Sequence, residues 1–201
     1  SISKYIKSEK TFYKVAKRLE YLQNKKTGRF KIDKDIGNNG IVNSLKFNNT
    51  PVNVTFNNQE RVEDLAGRVS KQIYQDSTAL LFAFRDKKFL KDNNLNEQNV
   101  LSIFIPNSYN IFWNSTPEDF RDRMLAEYNK FWNEERSKKA EELGLTRLEV
   151  ISLASIVQIE SRRNDERPRV AGLYINRIKE RMRLQADPTV IYSLKEYYNN
   201  F

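Results

Sequence analysis

Length, composition and charge narrow the classes of protein to which this chain can belong. Its 201 residues suffice for one ordinary domain or two small ones, and 39% hydrophobic residues are enough to build a core, which excludes a disordered chain. A net charge of +9 favours an anionic partner such as nucleic acid, a membrane surface or cell wall. The sequence has no cysteine and no histidine, which excludes disulfides, thiolate metal sites and nucleophiles activated by histidine. An enzyme of this composition has to use carboxylates, Lys, Tyr or Arg.

The first 114 residues alternate between helical and strand-like patterns. Apolar residues at helical spacing, among them Phe12, Ala16 and Leu19, predict a first helix that stops at Gly28. The following segments predict, in order, a short strand at GRFKID, a short helix in DIGNNGIVNSLKFNN, a half-buried strand at PVNVTFNN, a helix in ERVEDLAGRVSKQI, a helix in DSTALLFAFRD capped by Asp76 or Ser77, a polar loop at LKDNNLNEQNV and a strand in VLSIFIPNSYNIFW.

After residue 114 every segment has a helical pattern. One long helix is predicted from a cap at Ser115 or Thr116 to Gly144, and the next helix begins at a capping box formed by Thr146 and Glu149. A further helix in DERPRVAGLYINRIKERM has the predicted buried face Val170, Leu173, Tyr174 and Ile178. We therefore predict an α+β fold with two lobes, an α+β lobe at residues 1–114 and a mainly helical lobe at residues 115–201.

Glu160 is the leading candidate for chemistry. Leu153, Ile156 and Val157 lie on the same helix face in the two preceding turns, so Glu160 extends an apolar stripe that we expect to be buried. A carboxyl group against apolar walls is expected to have a raised pKa, and a protonated acid is what general-acid cleavage of a glycosidic bond requires. The alternative is an ion pair at the helix end, with a partner among Arg162, Arg163 and Arg169.

Other residues in this lobe have two interpretations each. Asp187 before Pro188 is either a helix N-cap or a direct participant. Asn176, in the apolar stretch LYINRI, either ties the fold together or faces a ligand. The aromatic residues Tyr192, Tyr197 and Tyr198 either belong to the core or offer rings to a sugar. Seven arginines form either a solvated face or a surface for carboxylates and phosphates: Arg162, Arg163, Arg167, Arg169, Arg177, Arg181 and Arg183.

Three motifs in this lobe resemble one known family. The segments ASIVQIE (154–160), ERPRVAGLYINRI (166–178) and MRLQADPTVIY (182–192) are similar to ASIVEKE, ERPxVAxVFxNRL and MxLQxDPTVxY of the endolytic murein transglycosylases, also called YceG-like proteins. Upstream, GRFKI and NVTFNNQERVEDLAGRVSKQI are similar to the LysM-like region of that family, and IPNSYNIFW resembles its PDTY-type segment. The resemblance thus covers most of the chain from about residue 28.

The resemblance implies a function and a set of site residues. Members of the family cut nascent glycan strands internally at the MurNAc–GlcNAc β-1,4 bond and leave 1,6-anhydro-MurNAc ends, with one glutamate as acid and then base. That glutamate corresponds to Glu160, whereas the first acid of the EKE triplet is replaced by Gln158. The motif positions implied to line the substrate groove are Asn176, Arg177, Gln185, Asp187, Thr189 and Tyr192. Neither metal nor cofactor is implied, and the expected partners are peptidoglycan glycan strands and cell-wall synthesis proteins.

The resemblance also implies an architecture and a location. We expect a small LysM-like module at about residues 28–75 that binds glycan, followed by a helical catalytic lobe that is lysozyme-like by analogy. Members are anchored in the cytoplasmic membrane by one N-terminal helix, which is absent from this chain, and face the periplasm or cell exterior. In the family the chain continues past DPTVIY, so we expect the lobe to be incomplete at its C-terminus and this fragment to be inactive.

The sequence also has to be weighed against two functions without catalysis, nucleic-acid binding and glycan binding. Nucleic-acid binding fits the charge, but acids are interspersed among the basic residues and no glycine-rich loop, finger spacing or RNA-binding aromatic motif is present, so no nucleic-acid partner is assigned. A non-catalytic glycan-binding or scaffold protein of the wall-synthesis machinery remains the alternative. Such a protein would tolerate replacement of Glu160, whereas the enzyme would not.

Overall fold

The computed structural model describes Ile6 and residues 8–198, with side chains through Leu194. Along this part of the chain the elements are α1 (Glu9–Arg18), α2 (Asn38–Phe47), β1 (Pro51–Phe56), α3 (Val62–Ser70), α4 (Ser77–Phe84), α5 (Lys87–Asp92), a 3-10 helix (Val100–Ile103), β2 (Asn107–Phe112), α6 (Pro117–Phe131), α7 (Glu134–Glu142), α8 (Arg147–Glu160), α9 (Arg167–Lys179) and α10 (Asp187–Tyr198). Contacts divide the chain into two units, Ser1–Glu127 and Tyr128–Phe201, with the division inside α6. The predicted two-lobe division at residue 114 stays a prediction.

The sheet of the first unit consists of β1 and β2, which pair antiparallel. The register places Pro51 opposite Phe112 and Phe56 opposite Asn107. Alternate residues of β1 face the core, as the sequence pattern predicts, and Val54 is fully buried. The described part of the chain is therefore mixed: mainly helical, with one small antiparallel sheet, consistent with α+β.

Two predicted strands of the first unit differ from the structure. The segment before β2 forms the 3-10 helix, and directly before that helix the Asn96 side chain makes a turn by accepting bonds from the backbone N–H groups of Gln98 and Asn99. The predicted strand at GRFKID is reduced to one isolated bridge between Phe30 and Asn49. At Gly28, a Cβ atom would lie 2.6 Å from Asn49 Oδ1, so a larger residue here would displace the Asn49 side chain, whose Oδ1 accepts from the Arg29 N–H.

The N-terminal helices form a small core of their own. The predicted first helix is confirmed as α1, with Phe12 and Ala16 buried against Ile41, Val42 and Leu45 of α2. The helix ends at Arg18 and does not extend to Gly28. A left-handed residue, Glu20 at φ 57°, follows the end of α1 and is incompatible with continued helix.

A second core of the first unit lies among α3, α4, the sheet and the start of α6. Phe84, Phe104 and Phe120 form its centre, with the ring centroids of Phe84 and Phe104 4.6 Å apart. Arg121 is buried beside it: its Nη1 donates to the Ala83 carbonyl at 3.0 Å and its guanidinium lies 4.0 Å from the Phe89 ring centroid. Asp76 caps α4 by accepting from the Ala79 N–H, which selects Asp76 from the two predicted caps.

The second unit contains the end of α6 and the helices α7 to α10. The single long helix predicted up to Gly144 is interrupted, and α7 begins after Asn133. The Asn133 side chain accepts from the Arg136 N–H at 2.9 Å, so asparagine acts here as an N-cap within what the apolar pattern presents as one helix. A buried hydrophobic cluster of the second unit consists of Leu153, Val157, Tyr174 and Ala186.

The capping box at the start of α8 is confirmed. Thr146 Oγ1 accepts from the Glu149 N–H, and Glu149 Oε2 accepts from the Thr146 N–H at 2.7 Å. The Thr146 backbone N–H, which is the largest cause, and the Thr146 hydroxyl both donate to the Glu149 carboxylate and hold its pKa below its usual range. A lowered carboxyl pKa means that this stabilisation is present at neutral pH and is lost as pH falls through the folded-state pKa.

We expect Thr146→Ala to destabilise the protein by about 1 kcal/mol, because one helix donor then loses its partner. Urea unfolding at neutral pH checks this, and the difference between variant and wild type should shrink in acid. The exposed Thr27, in a coil segment, provides a control, and Thr27→Ala should unfold like wild type. Equal stability of the Thr146 variant and wild type would refute a stabilising role of the box.

Two structural expectations concern the first unit and the membrane. The partner strand of β1 is β2, which lies outside the predicted LysM-like module at 28–75, so that module and its glycan binding stay predictions, as does the lysozyme-like analogy. Within residues 8–198, none of the helices has both the length and the apolar character that a membrane span needs.

Candidate functional site

The candidate site is built around the C-terminal end of α8. Leu153 and Val157 are buried as predicted and Ile156 is partly buried, so the apolar stripe is confirmed up to Val157. Glu160, however, is exposed, and its predicted burial is wrong. The reason is that Glu160 is the last residue of α8. The apolar core that covers Leu153 and Val157 does not extend over this last turn, so the Glu160 side chain contacts solvent.

The chain turns sharply after Glu160, at a buried serine. Ser161 is 5% exposed; its hydroxyl donates to Glu166 Oε2 at 2.9 Å and accepts from the Arg163 N–H at 3.2 Å. The Ser161 carbonyl also accepts from Arg167 Nε at 3.2 Å. These bonds join the end of α8 to the start of α9 and restrict the backbone beside Glu160.

Tyr174 of α9 is the buried neighbour of Glu160. Its ring belongs to the Leu153–Val157–Ala186 core and is 4% exposed, and the Glu160 carboxylate is close enough for its charge to act on the pKa of the Tyr174 hydroxyl. Burial raises the pKa of the Tyr174 hydroxyl, and the negative charges of Glu160 and Asp187 raise it further, while Arg177 lowers it. Three charged groups, one each from α8, α9 and α10, therefore lie near one phenol.

Arg177 fixes the loop between α9 and α10. Its Nη1 donates to the Leu184 carbonyl and to Gln185 Oε1, both at 2.8 Å, and to the Arg183 carbonyl at 3.2 Å. The loop contains two left-handed residues, Arg181 at φ 54° and Gln185 at φ 55°. Such a conformation is costly for residues other than glycine, so the Arg177 bonds compensate for strain that the loop stores directly before Asp187.

The end of α9 is closed by a Schellman motif. The Met182 N–H donates to the Arg177 carbonyl at 2.8 Å and the Arg181 N–H to the Ile178 carbonyl at 3.1 Å. Arginine occupies the left-handed position where glycine is usual. Arg177 thus acts twice, with its carbonyl ending the helix and its side chain holding the loop.

The other predicted groove residues are placed as follows. Asn176 is exposed, so it does not belong to the core. Asp187 is exposed and is the first residue of α10, so the prediction that it is the N-cap is wrong by one position. The Thr189 hydroxyl donates to the Ala186 carbonyl at 2.7 Å. Tyr192 is 55% exposed, which contradicts a core position, while the side chains of Tyr197 and Tyr198 lie outside the described residues.

The predicted buried face of α9 is only partly correct. Tyr174 is buried and Val170 is partly buried, but Leu173 is 52% and Ile178 38% exposed. The face that packs on α8 contains Val170, Ala171, Tyr174 and Ile175, which recur at i and i+4. Leu173 points away from that stripe, and Ile178 lies in the last turn of the helix.

The seven arginines fall into two groups. Three have partners: Arg163 pairs with Asp165 at 2.9 Å, while Arg167 and Arg177 bond to backbone carbonyls. The other four, which are exposed as Arg163 also is, are Arg162, Arg169, Arg181 and Arg183. In the described part of the chain Glu160 forms no ion pair with an arginine, so the alternative interpretation of this carboxylate is not supported. Among the residues that the structure describes, no group of acidic side chains is arranged to hold a metal ion.

The sequence did not identify Tyr174 and Ser161 as parts of the site. Periodicity predicts only that Tyr174 belongs to the core; the signal for a site is that a buried phenol usually has a hydrogen-bond partner and therefore indicates a polar neighbour. Ser161 lies between Glu160 and a run of arginines and continues no apolar pattern. Its small polar side chain directly after a helix is typical of residues that bond to nearby backbone groups.

Comparison with known proteins places this geometry in a family. A sequence model described as the YceG-like family matches residues 2–201. Proteins named endolytic murein transglycosylase are 30% identical to this chain, over 92 residues in Streptococcus pneumoniae serotype 2 and over 77 residues in Bacillus subtilis. These alignments cover 44% and 38% of this chain but only 16% and 21% of the respective relatives.

A solved structure has the same fold over nearly the whole chain. The crystal structure of a yceG-like protein from Listeria monocytogenes superposes with a TM-score of 0.61, covering 94% of this chain and 68% of that one, at 19% identity. At this identity the likeness concerns the fold alone. Because the family match extends over residues 2–201, the chain belongs to the YceG-like family.

Proposed function

We propose that this protein is a peptidoglycan lytic transglycosylase that cuts the MurNAc–GlcNAc β-1,4 bond inside nascent glycan strands and leaves 1,6-anhydro-MurNAc ends. The observation that carries the proposal is the exposed Glu160 carboxylate at the end of α8, directly before the hydrogen-bonded turn at Ser161, in a chain of the YceG-like family. The names of the relatives from S. pneumoniae and B. subtilis support the same class of reaction.

The proposed reaction needs one carboxyl group. Protonated Glu160 gives its proton to the glycosidic oxygen while the bond from that oxygen to C1 of MurNAc breaks, which forms an oxocarbenium-like state. The Glu160 carboxylate then takes the proton of the C6 hydroxyl as the C6 oxygen bonds to C1. Glu160 ends protonated, and no water is consumed. Its exposure supports this role, because a bulky glycan must reach it from solvent.

Other groups of the site have proposed roles toward the substrate. Asp187 brings a second negative charge near Tyr174 and Glu160, which favours a positively charged transition state. The exposed ring of Tyr192 offers a face to a sugar, and Asn176, Gln185 and Thr189 lie on the neighbouring α9, loop and α10. The exposed Arg162, Arg169, Arg181 and Arg183 suit stem-peptide carboxylates, with Arg177 holding the loop in place.

The proposal includes the cellular setting. We assign the protein to the cytoplasmic membrane, anchored by a single N-terminal helix, with its catalytic part at the periplasmic or outer face and in contact with cell-wall synthesis proteins. The net charge of +9 suits an anionic wall or membrane surface. The first unit is proposed to bind glycan.

The alternative is a glycan-binding or scaffold protein without catalysis, and strand length distinguishes the two. The full-length protein in detergent is incubated with purified glycan strands, whose length distribution is followed by chromatography while binding is measured by co-sedimentation. An endolytic enzyme shortens the average strand early, because it cuts at internal bonds. Binding with unchanged strand lengths would refute the enzyme and support the scaffold.

A further inference from the structure

The sheet of the first unit lies in a region without charge. Residues 47–59 and 98–117, which contain the two strands, have no charged side chain, although 30% of the whole chain is charged. Since β1 and β2 pair with each other, the two uncharged segments lie side by side. The net charge of +9 therefore comes entirely from other parts of the chain.

Three cross-strand pairs make up the outer face of this sheet. Residues at alternating positions of each strand are exposed, because successive side chains of a strand point to opposite faces. The outer face extends over about 13 Å along the strands. In order along the sheet it presents an apolar pair, an amide pair and a hydroxyl pair, namely Pro51 and Phe112, Asn53 and Asn110, and Thr55 and Ser108.

Hydrogen bonds hold both ends of this face in place. At one end the hydroxyl oxygens of Thr55 and Ser108 are 2.6 Å apart and share a hydrogen bond. The Gln72 amide bonds to the backbone N–H and carbonyl of Thr55, at 2.9 and 3.0 Å. At the other end Asn49 Nδ2 donates to Asn114 Oδ1 at 3.0 Å. A surface that is already ordered loses little conformational entropy when a ligand binds to it.

The chemistry of the outer face matches a neutral sugar chain. Asn53 and Asn110 lie opposite each other, and an amide both donates and accepts hydrogen bonds, as the hydroxyl and acetamido groups of amino sugars do. Phe112, 49% exposed on the same face, offers an apolar ring to the C–H side of a sugar. We propose that this face binds the uncharged sugar backbone of a glycan strand, an inference that rests on the glycan substrate proposed above.

The absence of charge argues against an anionic partner at this face. Phospholipid head groups, nucleic acids and stem-peptide carboxylates are bound by Lys and Arg, and none of the residues of the outer face is charged. The four exposed arginines assigned above to stem-peptide carboxylates belong to the second unit, whereas the sheet belongs to the first. The two units then recognise different parts of one polymer, its sugar backbone and its charged groups.

A neutral oligosaccharide of N-acetylglucosamine is the probe that tests this face. It has sugar rings and acetamido groups but neither stem peptide nor carboxylate. Its binding to the 201-residue chain is followed by NMR titration. We expect the side-chain amide signals of Asn53 and Asn110 to shift. The dissociation constant should be nearly the same at low and high salt, because no ion pair forms.

Two variants change the chemistry of the face and keep its shape. Asn110→Asp replaces an amide with a charged carboxylate of the same size, and Phe112→Leu removes the ring but keeps an apolar side chain. We expect each variant to raise the dissociation constant for the oligosaccharide about three- to tenfold. The matched controls Asn43→Asp and Phe82→Leu alter exposed residues of α2 and α4 in the same unit and should bind like wild type.

The outcomes separate this inference from the proposed function. Oligosaccharide binding that is absent, or equal in the face variants and the controls, refutes the glycan-binding face even if the protein cleaves glycan. If the two face variants lose binding to phosphatidylglycerol vesicles but still bind the oligosaccharide like wild type, the face contacts the membrane and the inference is wrong. If they bind the oligosaccharide more weakly and wild type cuts no glycan, the face is confirmed and the proposed enzyme is refuted.

Discussion

Replacing Glu160 with glutamine is expected to lower glycan cleavage by about 10² to 10⁴-fold, the usual contribution of a general acid or base. The amide has nearly the same shape but neither gives nor takes the proton that the reaction moves. Because Glu160 is exposed at the end of α8 and outside the Leu153–Val157 core, the variant should fold and bind glycan like wild type. Cleavage rates and circular dichroism, measured on the same preparations, check both parts.

Glu180→Gln is a suitable control for that variant. Glu180 is also an exposed glutamate at a helix end, directly after α9, and it lies outside the cluster around Tyr174. We expect it to cleave at the wild-type rate. Equal cleavage by the Glu160 and Glu180 variants would exclude Glu160 as the acid.

Removing the side chain of Arg177 is expected to affect both stability and activity. Arg177→Ala leaves the Leu184 carbonyl and Gln185 Oε1 without their donor and releases a loop that holds a left-handed Gln185. Since these groups are partly exposed, we expect a loss of about 1–2 kcal/mol in the free energy of unfolding. Cleavage should fall by about 10²-fold, because the loop precedes Asp187 and a misplaced group near the reacting bond is costly.

Arg183→Ala removes a positive charge from the same loop but leaves the hydrogen bonds of the Arg177 side chain in place. Arg183 is an exposed arginine of the same loop whose backbone carbonyl, not its side chain, contacts Arg177. Its replacement should leave the urea midpoint unchanged. Arg177→Lys restores the charge but not the three-acceptor geometry, so it should remain less stable than wild type. Wild-type stability of Arg177→Ala would show that the loop holds its conformation unaided.

Features determined by neighbouring residues were predictable from the sequence. The capping box at Thr146 and Glu149 needs only two side chains three residues apart, and the alternation of β1 needs only its own residues. The buried stripe of α8 was likewise predicted up to Val157. For the site, the resemblance of the three motifs implied that Glu160, Arg177 and Asp187 belong to one region, and in the structure all three lie near Tyr174.

Features that depend on tertiary neighbours were not predictable. Periodicity places Glu160 on the apolar face of α8, but whether that face is covered at the last turn depends on where α9 begins. The break before α7 depends on the Asn133 side chain competing for helix N–H groups within an otherwise helical pattern. The hydrogen bonds from Arg177 to the loop could not be predicted. The loop adopts left-handed conformations at Arg181 and Gln185, and neither position has the glycine that would indicate such a conformation in the sequence.

The central claim, that Glu160 cleaves the glycosidic bond with the sugar's own C6 hydroxyl as the nucleophile, is tested most directly by an isotope experiment. The full-length protein cuts purified glycan strands in ¹⁸O-labelled water, and mass spectrometry reads the new ends. We expect 1,6-anhydro-MurNAc ends without ¹⁸O, absent when the Glu160→Gln variant is used. Reducing ends that carry ¹⁸O would contradict the account and identify a hydrolase in which water attacks C1.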